Sequence, residues 1–423
     1  MPKTAFTIAV AVVSVITVIA MIVMWPSGDT PFATGPAPGE TRSGEMESIA
    51  NEPCPDPLPG ECVTGKVKIT SGPEDGKVVS VTLSSGGPVP DYDVGDKVRV
   101  SKVTFEPDQI SSPGVARTQY TVIDFERRVP LLVLFLVFAA LVIVFGRLRG
   151  ALSLVGLAMS LAVVLVFIVP AILDGTSPLA VALVGSMAVM LLSISLAHGL
   201  GPKSLAAIMG TGVSLLLVGL LAVIATNATH LTGMSTEETT SLALQDDSIS
   251  LSGLLIAAMI IGALGVLDDV TISQASTVFA IRSADPDQKF KDLYLRAIDV
   301  GRDHVSATVN TLVLAYVGSS LPLLLIFGSG QLGLIDSFNL ELITKEIVAM
   351  LVGSIGLIAA VPITTALAAY MARSMTDEES AEAAEGGHSH GHVHAPATAA
   401  PVPVQTPHSV LRPKKQKRRF WEE

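Results

Sequence analysis

The stretch GALGVLDDVTISQASTVFAIR, Gly262 to Arg282, sets two adjacent carboxylates, Asp268 and Asp269, into sequence that is otherwise mostly apolar or small. Apolar periodicity extends on either side, from Leu251 to Ile281. As one helix, this segment would be about 46 Å long at about 1.5 Å per residue, against roughly 30 Å of bilayer hydrocarbon. So one end projects, or the helix tilts. The aspartates fall near its middle, at depth or at the inner membrane edge. A charged Asp at the centre of a membrane helix costs about 2.5–3.5 kcal/mol. Two are tolerated only if water, a countercharge or a proton relieves them.

Working outward, the rest of the chain has the same character. Its 423 residues are 49% hydrophobic and 15% charged, with a mean hydropathy of +0.58. That is too apolar for an ordinary soluble domain. Eight spans are predicted, at about 5–25, 129–146, 151–173, 178–200, 202–226, 251–270, 306–328 and 344–372. The first run is long for a cleaved signal peptide, so it is expected to be an uncleaved anchor. Basic residues mark alternate loops: Arg147 and Arg149, then Lys203, then Arg282 to Arg302, then Arg373 and Lys414 to Arg419. Acidic segments occupy the others: Asp174, Glu237 to Asp247, and Asp336 to Glu341. This alternation places both termini in the cytoplasm, with Arg127 and Arg128 as the exception. The net charge of -11 argues against nucleic acid as a general partner.

Residues 27–62 are rich in Pro and Gly and are expected to form an extracytoplasmic linker after the 1–26 anchor. Within it, CPDPLPGEC leaves Cys54 and Cys62 as a small disulfide loop or two free thiols; an oxidising outer face favours the disulfide. From Val63 to Arg128 the pattern becomes period two. VTGKVKI, VVSVTL, DKVRVSKV and YTVIDF alternate apolar and polar residues between turns. Four or five such strands suit a small β-barrel, of which an OB-like barrel is one form. No aromatic stacking platform accompanies them, so a docking or spacer module is the plainer reading. A seven-span region, 129–372, follows.

The tail, 373–423, is acidic, then His-rich, then basic. It is expected to be disordered and cytoplasmic. His388, His390, His392 and His394 stand at alternate positions. Imidazoles on a flexible segment bind Zn²⁺ or Ni²⁺ weakly. No supporting residues accompany them, which favours a plain low-complexity tail. The basic end suits the anionic inner leaflet.

The aspartates have two candidate settings. Gly262, Gly265, Asp269, Ser273 and Ser276 recur at spacings of three and four, giving one small and polar stripe. Such a stripe is expected to pack against another helix. Asp268 lies about 100° round from Asp269, so the two need not share a proton. In DVGRDHVSATVN, Asp299, Asp303, Ser306 and Asn310 form a second stripe, flanked by Arg302 and His304. Arg302 is a candidate countercharge and His304 a proton acceptor near neutral pH. Asp268, Asp269, Ser273, Arg302, Asp303, His304 and Asn310 are therefore the candidate relay or ion path. The competing reading is a solvated amphipathic helix over 285–303. Pro170, Pro322 and Pro362 interrupt apolar runs, as broken transporter helices do, though helices that only pack are kinked more often.

GALGVLDDVTISQASTVFAI, AIDVGRDHVSATVNTLVLAYVGSSLPLLL and EIVAMLVGSIGLIAAVPITTALAA together resemble the YibE/F-like multispan membrane proteins of bacteria, over about Val63 to Ala372. The resemblance implies a polytopic protein of the bacterial plasma membrane and carries over no catalytic residue, substrate or cofactor. The Gly-preceded DD pair also looks like the proton-relay helix of resistance–nodulation–division pumps and of Sec accessory subunits. Their large periplasmic domains between spans are missing here, so this is analogy only. The expected function is a transporter-like membrane protein, proton-coupled through Asp268 and Asp269. Its rival is a non-transporting envelope scaffold whose outer β module docks a protein partner. A metal exporter using the His tail ranks third. An enzyme is not expected: the chain has no HExxH, GxSxG or phosphate loop. No cofactor is expected, and the sequence leaves the oligomeric state open.

Overall fold

The computed structural model describes residues 2–27, 40–53, 61–84, 90–104, 118–245, 249–326, 328 and 333–375. Cys54 and the four tail histidines lie outside the described residues. Helix α1, Pro2–Val23, precedes five strands: β1 Glu40–Pro53, β2 Glu61–Ile69, β3 Val78–Ser84, β4 Lys97–Thr104 and β5 Thr118–Phe125. They close into a barrel in the order β1-β2-β3-β5-β4, with β1 pairing to both β2 and β4.

The period-two pattern works as the sequence suggests. Val67 and Ile69, Val79 and Val81, and Val98 and Val100 are all buried and fill the barrel together with Met46. One expectation is corrected. β1 lies inside the stretch assigned to the Pro/Gly linker, so the barrel begins at Glu40 and not at Val63. Its sequence, ETRSGEMESIANEP, lacks apolar alternation; Met46 is its one fully buried large side chain. Pairing to β2 and β4 holds this strand in place where side-chain pattern does not. Glu74, in the turn between β2 and β3, accepts from Lys77 Nζ at 3.0 Å, Tyr120 OH at 3.0 Å and Lys102 Nζ at 3.3 Å. The hydrogen bond from Lys77, followed by those from Tyr120 and Lys102, holds its carboxyl down at about 2. Cys62 is disulfide-bonded.

The remaining chain is helical: α2 Arg128–Val163, a π-helical turn Val164–Ile168, α3 Val169–Leu173, α4 Pro178–His198, α5 Pro202–Ala228, α6 Glu237–Gln245, α7 Leu251–Ala284, α8 Phe290–Ser319, α9 Leu321–Ile326, α10 Leu334–Phe338 and α11 Glu341–Arg373. Among the described residues, six stretches are long and apolar enough to cross a membrane: 3–23, 128–173, 178–198, 202–228, 251–284 and 341–373. The 128–173 stretch is broken. Arg147 takes φ 52° and ψ −133°. A side chain at Gly150 would collide with the carbonyl of Val142, which no continuous helix brings near. The chain therefore turns sharply at Arg147 and forms two limbs, as the sequence predicted at residues 147–150.

Prolines open α4 and α5 at the first helical position, where a missing N–H costs nothing. Ser250 caps α7 by accepting from the Gly253 N–H at 3.1 Å. The expected boundary between a cytoplasmic helix over 285–303 and a span from 306 is absent, because α8 runs unbroken across it. Pro322 instead lies in the first turn of short α9.

α7 is the hub of the bundle, packed against α4, α5, α8 and α11. Ile260, Leu267, Ala275, Val278 and Phe279 bury its packed faces. α5 and α11 approach closely at two glycines, where a side chain on Gly210 would strike Thr364 and one on Gly356 would strike Val218. Small residues at such crossings let helix backbones meet. A polar layer crosses the same core. Gln274 Nε2 donates to the carbonyl of Ala297 at 2.9 Å and to Thr365 Oγ1 at 2.7 Å, tying α7 to α8 and α11.

Candidate functional site

The two aspartates face different surroundings, as their 100° separation requires. Asp268 Oδ2 accepts a hydrogen bond from Ser193 Oγ of α4 at 2.9 Å. Its Oδ1 is buried and has no hydrogen-bond partner. Asp269 is exposed on the neighbouring arc. Both line a cavity of about 490 Å³. One wall comes from α2 (Ser153 and Ser160), one from α4 (Ser186 and Ser193) and one from α7 (Gly265 with the aspartates). Phe138 and Val142, from the first limb of α2, also line it.

Helical spacing explains the hydroxyls. Ser153 and Ser160 are seven residues apart, as are Ser186 and Ser193, so each pair shares one helix face. Gly156, between the α2 serines, brings α2 within van der Waals distance of Ser193. Ser186 is 1% exposed, and its hydroxyl has no partner. None of the described lining residues is basic.

The small and polar stripe departs from its expected packing role. Gly262, Gly265, Asp269 and Ser273 are exposed in the single chain, and Gly265 has open space around it. The neighbours of α7 cover its other sides, and the stripe is the side left over. The second polar stripe is likewise not brought to the first. Arg302 pairs with Asp299 at 2.8 Å, with both side chains about 70% exposed. Asp303, His304 and Asn310 are exposed on α8. Among the described residues, Asp268 has Ser193, and not Arg302 or His304, as its side-chain partner.

The basic groups near the aspartates come from elsewhere. His198, at the end of α4, lies within electrostatic reach of Asp269, Lys203 and Arg149. Asp269, the next residue, is a like charge beside Asp268. So Asp269 has an imidazole within reach, and no basic side chain lines the cavity beside Asp268 among the described residues. Sequence reading missed the four serines and His198. The paired seven-residue spacings were the available signal.

The described residues include no group of three His, Cys, Asp or Glu side chains placed to hold a metal ion. The donor set of the cavity is two carboxylates and four hydroxyls. It can accept hydrogen bonds, take up a proton or surround a hard cation.

Neither a curated protein nor a solved structure matches the chain. The YibE/F-like protein family matches residues 134–374, more than half of the sequence. That match covers α7 and every lining residue of the cavity, and it begins after the barrel, later than the Val63 expected from the sequence. The chain belongs to the YibE/F-like protein family.

Proposed function

We propose that this protein is a transporter-like membrane protein driven by a monovalent cation, a proton or a metal ion, that enters the α2–α4–α7 cavity. The observation that carries this reading is Asp268. Its carboxylate sits within an apolar helix bundle, with one oxygen held by Ser193 and the other unpartnered over a cavity. An intramembrane carboxylate is expensive and is kept where it moves or binds an ion. Eight crossings of the bacterial plasma membrane, the two limbs of α2 and the α8–α9 segment included, leave both termini cytoplasmic and the barrel outside. No catalytic role is proposed.

Ion and solute flux in proteoliposomes tests the reading, and Asp268→Asn should abolish it. No flux under either a proton or a sodium gradient, with capture of an envelope protein by the barrel, would favour a docking scaffold instead. Reporter fusions after Glu126 and after Arg373 test the topology. They should report opposite sides, and same-side signals refute it.

A further inference from the structure

The cavity's donor set carries more than the presence of an ion. Asp268 brings a charge that no basic lining residue offsets. Its Oδ2 already accepts from Ser193, which leaves the buried Oδ1 as an unused acceptor. Ser186 is 1% exposed, lies in the same cavity and has no partner for its hydroxyl. Ser153 and Ser160 add two more oxygens from the opposite wall. A buried hydroxyl without a partner costs on the order of 1–3 kcal/mol. The Ser186 hydroxyl and the Asp268 Oδ1, both unpartnered at one cavity, call for a polar occupant.

The occupant's class follows from the ligands. All of them are oxygen, and neither His nor Cys lines the cavity, so soft transition metals are disfavoured. A divalent ion would draw on more than one carboxylate. Asp269 is exposed and has His198 within electrostatic reach, so Asp268 is the carboxylate enclosed by the cavity. That leaves one net negative charge for the occupant to balance. A proton alone would neutralise Asp268 but would leave the buried Ser186 hydroxyl without a partner. A hard monovalent cation with its remaining waters satisfies both.

We propose that the cavity between α2, α4 and α7 binds a sodium ion, neutralised by Asp268, with the hydroxyls of Ser193, Ser186, Ser160 and Ser153 replacing part of its hydration shell. This deepens the transport reading by naming the ion. It is tested by binding alone, so the two fail separately.

The test is equilibrium binding of ²²Na⁺ to the purified full-length protein in detergent, in choline buffer at pH 8. Saturable binding of one ion per chain is expected. Asp268→Asn keeps the size and the acceptor for Ser193, and it should weaken binding at least tenfold. The Ser186→Ala/Ser193→Ala pair should weaken it several-fold, and lowering the pH should compete with sodium. Circular dichroism of each variant in choline buffer shows whether it is folded; sodium-dependent protection of the wild type from heating gives a second readout if a variant fails to fold. Absence of saturable binding, or binding unchanged in folded Asp268→Asn, overturns the proposal. Proton-driven flux without sodium binding overturns the ion assignment and leaves the transport reading standing. Sodium binding without flux supports the site and overturns the transport reading.

Discussion

Gln274 offers a direct measure of what holds the bundle together. It is 4% exposed, and its amide donates to the Ala297 carbonyl at 2.9 Å and to Thr365 Oγ1 at 2.7 Å. Gln274→Met keeps an unbranched side chain of similar volume and removes both donors. Interhelical hydrogen bonds in a bilayer average about 0.6 kcal/mol and reach about 1.7 kcal/mol. Two of them give about 1–3 kcal/mol. Thr365 still donates to the Val361 carbonyl, so its hydroxyl is not orphaned. The Ala297 carbonyl also accepts its helical hydrogen bond within α8, which keeps the loss from growing far beyond this range. The assay is reversible unfolding in mixed micelles of detergent and SDS, followed by circular dichroism. A loss below about 0.5 kcal/mol would refute the cross-linking role of Gln274. A loss well above about 3 kcal/mol would show that α8 detaches with it.

Glu74 predicts a pH effect confined to the barrel. Its folded carboxyl sits at about 2 against 4.5, chiefly because Lys77 donates to it. A depressed carboxyl contributes stability above pH 4.5, and that contribution is lost as pH falls towards 2. Between pH 6 and pH 3 the wild type should lose barrel stability faster than Glu74→Gln, read as tyrosine fluorescence on heating; parallel profiles would contradict the ion network. Arg147 holds a backbone conformation that favours glycine, with φ 52°. Arg147→Gly should raise thermal stability by about 1 kcal/mol, within the roughly 1–3 kcal/mol such strain costs. A decrease would show that the arginine side chain holds the turn.

How much of this was legible depends on what pattern can encode. The apolar helices and four of the strands follow from periodicity, because burial on one face imposes it. β1 could not be found that way. Met46 is its one fully buried large side chain, and the strand's partners in β2 and β4, such as Val67 opposite Met46 and Lys102 opposite Glu40, are distant in sequence. The turn at Arg147 was visible as a charged, glycine-flanked break, GRLRG. In the candidate site, spacing identified the polar face of α7 but not which helix lies opposite. That depends on how the bundle is wound. Arg302 and His304 flank the stripe of Asp299 and Asp303, yet α8 packs in a cluster with α7 through Val270, Ile298, Val305 and Val309. The serines of α2 and α4 took the place assigned to that stripe. They were overlooked because a serine in an apolar helix costs little and attracts no attention.

The two aspartates predict opposite responses to the same substitution, and their placement on α7 explains why. Val270 and Leu267, on either side of the pair, are fully packed, while Asp269 faces outward. Asp268 therefore sits where the packed face meets the open stripe. There it loses water but gains only Ser193. In sodium-free buffer its charge is a net cost to the fold, bounded by the roughly 2.5–3.5 kcal/mol for a carboxylate at full depth. Asn accepts from Ser193 as the carboxylate does, so Asp268→Asn should leave the hydrogen bond intact and raise the melting temperature. Asp269 acts on His198, where it offsets the charges of Lys203 and Arg149. Removing its charge leaves those cations closer to one another in effect, so Asp269→Asn should lower the melting temperature or leave it unchanged. Added sodium should narrow the gap between wild type and Asp268→Asn, because the ion supplies to the wild type what the substitution makes unnecessary. The reverse ranking, with Asp268→Asn destabilised and Asp269→Asn stabilised, would mean that Asp268 holds a positive partner and that the charge balance drawn from the cavity is wrong.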